Sequence, residues 1–203
     1  MNALALTPQN LVSLIIAISF AAGLNLYATV CALGLMARLH WVVLPGELGA
    51  LASTWIIAAS AALFLGEFVA DKIPGFDLIW NALHTFIRIP AAALLAYAAS
   101  SHLSPAAQLL ATCAGAAIAA LAHTSKTAMR VAVTPSPEPI SNITLSAAED
   151  AAAISLTWVA THHPLVGGVT VAILCIALIA ALRWSFVRIR AGLTRGVHRL
   201  RQI

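Results

Sequence analysis

Four stretches of the chain carry no Asp, Glu, Lys or Arg: Leu11–Ala37, Leu48–Gly66, Ile89–Ser125 and Ala151–Leu182. A helix needs about 20 mostly apolar residues to cross a bilayer, and each stretch is near that length or beyond it. A soluble domain carries roughly 25% charged residues; this chain of 203 residues carries 9%. It lacks the polar residues to wet a globular surface. The fold class read from this is an all-α integral membrane protein with about six transmembrane helices.

The spans are placed at 9–37, 48–70, 76–101, 105–131, 143–160 and 165–189. The third is expected to break near Pro90, because a proline inside a helix removes one backbone hydrogen bond. "LHWVVLPGELG", "SSHLSP", "VTPSPEPISN" and "THHP" read as links, each with a proline to stop or start a helix. Residues 1–190 are read as one polytopic membrane domain and 191–203 as a basic cytoplasmic tail. The first basic residue is Arg38. The N-terminus thus lacks the basic region of a cleavable signal, and its apolar run is too long for one. It reads as the first span.

Charge sets the orientation. Arg183, Arg188, Arg190, Arg195, Arg199 and Arg201 crowd the C-terminus. Basic segments stay on the cytoplasmic side, so six crossings put both termini there, with Arg38 as the exception. The same tail is a contact for anionic membrane lipid. Nothing else in the chain points to nucleic acid. A homo-oligomer is compatible with the sequence. The chain divides into three spans and three, which is compatible with an inverted 3+3 repeat.

The run "GEFVADKIPGFDLIWNALHTFIRIP" breaks the apolar pattern. Asp77, Asn81, His84 and Arg88 fall at helical offsets of 4, 7 and 11, on one face. Pro74-Gly75 ends the preceding helix, and Asp77 is the expected N-cap of the next. Upstream, Glu67 and Asp71 lie one turn apart. Two carboxylates so close favour a retained proton unless a cation compensates. The second half has a counterpart: His123, Lys126 and Arg130 share a face, as do Asn142, Ser146 and Asp150, with Glu149 beside them. Ionisable groups within spans are costly and tend to pair around a bundle interior or cavity. The two charged turns, 67–88 and 123–150, are therefore expected to meet. The first span has its own irregularity, "FAAGLNLYATV". Gly23 and Asn25 there fit either a helix break that exposes polar groups or close packing through small residues.

The candidate site follows. Asn25, Lys72, His84, Arg88, His123, Lys126, Arg130 and Asn142 are the substrate-binding candidates. Glu67, Asp71, Asp77, Glu149 and Asp150 are the candidates for proton or cation coupling. Arg88, with its planar fork, is read as a grip for an anionic group. No catalytic motif, metal spacing or cofactor loop is present. Cys31, Cys113 and Cys175 read as small buried hydrophobes.

"GLNLYATV", the run from Gly66 to Ala96, "AHTSKTAMR" and "SPEPISN" followed by "SAAED" resemble a family of bacterial membrane proteins, domain of unknown function 4126. The resemblance spans about residues 10–185. It implies a polytopic protein of the bacterial inner membrane and no particular substrate. The functional expectation is a small transporter or channel-like protein moving a small ion, solute or lipid head group. The alternatives are a structural or assembly protein held by internal ion pairs, and an intramembrane lipid-acting enzyme with His84 or His123 as base.

Overall fold

A computed structural model describes residues 7–73, 75–133 and 139–200, with the side chains of 132, 133, 139, 142, 185–187 and 189–200 outside the description. The described chain is all helical. The helices are α1 (Pro8–Leu24), α2 (Leu26–Arg38), a 3-10 segment (Gly46–Ala52), α3 (Thr54–Ala70), α4 (Phe76–Ala99), α5 (Pro105–Val133), α6 (Pro139–His162) and α7 (Pro164–Leu200). Helices α1, α5, α6 and α7 begin at or immediately beside a proline. Its fixed φ suits the first helical position, where its missing N–H costs nothing.

Helix α1 is the central post. Leu14, Ala17, Ile18, Ala21 and Ala22 are buried there, and α4, α5, α6 and α7 pack around it. Small residues permit the approach. A Cβ on Gly23 would lie 2.6 Å from the Ala119 carbonyl of α5, and one on Gly115 would lie 2.6 Å from Ala96 Cβ. The outside is apolar in turn, with Trp55, Phe86 and Leu110 all highly exposed. In water such a surface would drive association; against lipid it needs no cover.

Several expectations are corrected here. The first apolar stretch is the exception: it is two helices, α1 and α2, divided at Asn25, as the helix-break reading of Gly23 and Asn25 expected. The second is also divided. A 74° bend separates the 3-10 segment from α3, where Gly46 and Gly49 weaken the start of a helix. Helix α4, by contrast, runs unbroken through Pro90. The proline forfeits the bond to the Phe86 carbonyl, and dense packing of α4 on α5 holds the helix together. Asp77 is not the N-cap of α4. That position is Gly75, at φ 87°, and Asp77 Oδ1 accepts from the Gly75 amide at 2.8 Å. The cysteines are not core residues either. Cys113 is exposed, and Cys31 and Cys175 are half-buried, on a surface that is itself apolar.

Among the described residues, α4, residues 105–131 of α5 and residues 164–184 of α7 are long and apolar enough to cross a membrane. The bent pair of the 3-10 segment and α3 raises the number to four. Helices α1 and α2 are apolar but short. Helix α6 is long enough, but its polar face and adjacent acids keep it out of that class.

Candidate functional site

The break at Asn25 is built from its own side chain. Asn25 is extended, with φ −146° and ψ 103°, and its Oδ1 accepts from the Ala28 amide at 2.9 Å, which starts α2. Its Nδ2 donates to Asp150 Oδ1 on α6 at 2.8 Å. The negative end of the α1 dipole therefore stops inside the protein, and the positive end of α2 begins there. Both ends are used. The Leu24 carbonyl, which closes α1, accepts from Arg88 Nη1 at 3.3 Å and Lys126 Nζ at 3.1 Å. The start of α2 has Asp150 beside it.

Around this break the two charged turns meet. Arg88 Nη2 binds Glu67 Oε1. Lys126 Nζ lies 2.9 Å from Asp71 Oδ2, 3.3 Å from Glu67 Oε1 and 3.5 Å from Glu149 Oε2. Arg130 donates to the Asp71 carbonyl at 2.7 Å and to its Oδ2 at 3.1 Å, pairs with Glu149, and stands 3.6 Å from Asp77 Oδ2. Glu67, Asp71, Asp77, Arg88 and Arg130 have no exposed surface. Charges that merely marked a water boundary would reach outward; these turn inward. Asp71, just past the end of α3, shows the balance. Burial alone would raise its pKa, but Lys126 and Arg130 outweigh it and hold the carboxyl below its usual range.

The histidines sit at the edge of this network, and their tautomers follow from their partners. His84 Nδ1 lies 2.8 Å from the Trp80 carbonyl, which only accepts, so Nδ1 carries the proton. Nε2 lies 3.1 Å from the Tyr27 hydroxyl, which can donate or accept. His123 Nδ1 faces Arg88 Nη1, which only donates, at 3.3 Å. Its proton is therefore on Nε2 and goes to Thr85 Oγ1 at 2.8 Å, and Thr85 donates onward to the Asn81 carbonyl at 3.2 Å. The His123 ring is neutral in this arrangement, because its Nδ1 must accept. Thr85 and His123 also line a recess of about 440 Å³ beside α5.

Histidines aside, the described cluster holds five buried carboxylates, Glu67, Asp71, Asp77, Glu149 and Asp150, against three buried cations, Arg88, Lys126 and Arg130. The cluster is short of positive charge. Glu67 Oε2, Glu149 Oε1 and Asp150 Oδ2 are buried and accept no hydrogen bond.

Of the residues singled out in the sequence, Lys72 does not join. It is half-exposed, and its ammonium folds back onto the Phe68 carbonyl and ring. Burial pushes its pKa down, ahead of the opposing pull of Asp150 and Asp71. Asn142 lies on α6, with its side chain outside the described residues, as are those of Arg190, Arg195 and Arg199 and the whole of Arg201. The anionic-lipid contact expected at the tail falls on these positions. Arg88 does not hold out its fork. Its Nη atoms are spent on Glu67, Asn81, His123 and Leu24. Three parts of the site went unmarked in the sequence: Tyr27 as the partner of His84, Thr85 as the partner of His123, and the Leu24 carbonyl. Thr85, four residues past Asn81, had a positional signal. A backbone carbonyl has none.

The family profile described as Domain of unknown function (DUF4126) matches residues 12–184. The chain belongs to this family. The match covers every described site residue. No curated protein and no solved structure matches the chain. For this DUF4126 protein, function must therefore be argued from the cluster itself.

Proposed function

We propose that this DUF4126 protein is a small polytopic membrane transporter whose moving ion is the proton, carried by the buried charge cluster. The observation that carries the reading is the two-charge excess of buried carboxylates over buried cations, with acceptor oxygens left over on Glu67, Glu149 and Asp150. Carboxylates crowded in a low dielectric take up protons until the charge is bearable. Each proton taken up or released there is a unit of transport. The helix break supports the same reading, because transporters place discontinuous helices at the substrate site, with half-helix ends facing the charges.

In this reading the chain crosses a bacterial inner membrane six times. Helices α1 and α2 form one broken crossing, the 3-10 segment and α3 a bent one, and α4 to α7 one each. Both termini are cytoplasmic. The first three crossings contribute Glu67, Asp71, Asp77 and Arg88, and the last three contribute Lys126, Arg130, Glu149 and Asp150. Such a division suits an inverted 3+3 repeat. Helix α6 crosses despite its acids because the Asn25 and Arg130 bonds remove them from lipid.

The competing reading is a structural lock. It is favoured by the internal pairing of Arg88 and Lys126, which is also how an assembly protein would hold its helices. Flux separates the two. The protein is reconstituted in vesicles with a pH-sensitive dye inside, and a potassium diffusion potential is imposed. Transport requires proton entry above that of protein-free vesicles, and loss of this entry in Glu149→Gln and Asp150→Asn. Folded wild-type protein that conducts no more than empty vesicles sinks the proposal.

A further inference from the structure

The recess beside α5 is set apart by the hydroxyls on its walls. It has a volume of about 440 Å³ and is lined by Thr85 of α4 and by His123, Thr124, Thr127, Ala128 and Val131 of α5. Thr124 and Ala128 are exposed, and Thr85 and Thr127 are half-buried, so the hollow is open and its threonines have surface to offer. Their hydroxyls can still accept. Thr127 Oγ1 donates to the His123 carbonyl at 3.0 Å, and Thr85 Oγ1 donates to the Asn81 carbonyl at 3.2 Å. A hydroxyl oxygen keeps two lone pairs when it donates, and on Thr85 one of them is taken by His123. A hollow needs polar partners and about 10–15 Å³ to hold one water; this one has both, with room for several.

Behind the recess stands the charge cluster, and His123 belongs to both. It lines the recess, with Nε2 2.8 Å from Thr85 Oγ1, and its Nδ1 lies 3.3 Å from Arg88 Nη1. Arg88 in turn holds Glu67 and Asn81. The His123 ring and the Thr85 hydroxyl thus stand between the hollow and the cluster. The ring cannot pass a proton as it stands. A neutral imidazole accepts through one nitrogen only, and that lone pair, on Nδ1, is already turned to Arg88. The guanidinium does not give up a proton in exchange. A proton from the recess therefore reaches the carboxylates on this side only when the ring swings out and water takes its place beside Arg88.

We infer that the recess is a water-filled vestibule leading to the cluster, and that the His123 ring, latched by Thr85, is the shutter between them. The lining of the recess runs to Val131, two residues from the end of α5 at Val133. In the transport reading that end of α5 is cytoplasmic, so the vestibule opens toward the cytoplasm. Its side rests on that reading; the water and the shutter do not.

The test is the reaction of single cysteines with a charged, water-soluble methanethiosulfonate. The reagent takes the thiolate, and a thiol facing hydrocarbon keeps its proton. Each variant carries one cysteine, the other native ones being alanine, and Cys113, exposed on the same helix, is the lipid-facing reference. In inverted membrane vesicles Thr124→Cys and Thr127→Cys should react about tenfold or more faster than Cys113. Rates no higher than that of Cys113 would overturn the vestibule, leaving threonines satisfied by their own helix carbonyls in lipid. Faster reaction in intact cells than in inverted vesicles would overturn the cytoplasmic mouth. Asn81→Cys reads the shutter. Asn81 has no exposed surface, so Asn81→Cys should be inert with His123 in place and should gain reactivity by a similar factor with His123→Ala. Thr85→Val removes the latch at nearly constant volume and should give a smaller gain, so it serves even if His123→Ala does not fold. Reaction of Asn81→Cys with the ring and latch intact, or none in either variant, would overturn the shutter. Labelling needs no gradient and the proton assay needs no cysteine, so the vestibule and the transport reading can fail separately.

Discussion

Arg88 is the most instructive residue to remove. Its side chain has no exposed surface and binds groups from four places: Glu67 on α3, the Leu24 carbonyl that ends α1, Asn81 on its own helix and His123 on α5. Arg88→Leu keeps bulk and deletes the charge. Breaking a buried pair by removing one partner costs about 3–5 kcal/mol, because the other charge is left uncompensated. Here the cost belongs at the lower end. Lys126 Nζ, 3.3 Å away, still faces the same Glu67 oxygen. A loss of about 3 kcal/mol in a chain of this size corresponds to a melting temperature lower by roughly 6–12 °C. The second substitution decides the cause. Glu67→Gln in the Arg88→Leu background removes the stranded charge, and most of the loss should return. The interaction energy from the double-mutant cycle should be near the top of the usual range, about 2–3 kcal/mol. Thermal melts of purified protein in detergent, read by the loss of the monodisperse peak, provide the measurement. Additive losses from the two substitutions would refute the pairing. Arg88→Lys then tests function. A lysine can keep Glu67 but cannot also reach Leu24 and His123, so the protein should fold and its proton flux should fall.

Three further outcomes are expected. Asn25→Ala removes the α2 cap, worth about 1 kcal/mol, and strands Asp150, so it should lower the melting temperature more than a surface cap loss would. Asp71 has a depressed pKa in the folded protein, so its stabilisation is full above its unperturbed value of 3.8 and fades as pH falls through the lower folded value. Acid melts below that pH should show the fade, and Asp71→Asn should abolish it. Reporter fusions at Ser104 and Ile203 should give opposite signals; the same side for both would sink the six-crossing arrangement.

The polar stripes were legible because helical geometry is local. Offsets of 4, 7 and 11 put Asp77, Asn81, His84 and Arg88 on one face whatever the tertiary structure, and all four are buried. The same counting placed His123, Lys126 and Arg130 together. Gly23 and Asn25 were legible as an irregularity but not as a choice between a break and a close packing. The structure contains both, with Gly23 against Ala119 and Asn25 capping α2. Pro90 misled, because propensity counts the lost hydrogen bond and not the neighbouring helix that holds the chain in place. The second apolar stretch misled in the other direction: its hydropathy is continuous, while its backbone bends at Ser53.

Pairing was beyond sequence for a different reason. Any of the five acids could answer any of the three cations, and the choice is set by where a broken helix ends. Leu24 is an ordinary leucine in the sequence. In the fold its carbonyl closes α1 in the middle of the protein, and Arg88 and Lys126 converge on it. Those two cations are then fixed, and the acids arrange around them. Glu67 takes both, Asp71 takes Lys126 and Arg130, and Asp150 is left to Asn25. The residue that starts α2 thus holds an acid that none of the three buried cations pairs with directly. Asn25 donates to Asp150 through Nδ2 while its Oδ1 caps α2, so the acid and the start of α2 share one side chain. One side chain thus meets both the cluster and the break in the central helix, which is where the proposed proton transport would look for coupling.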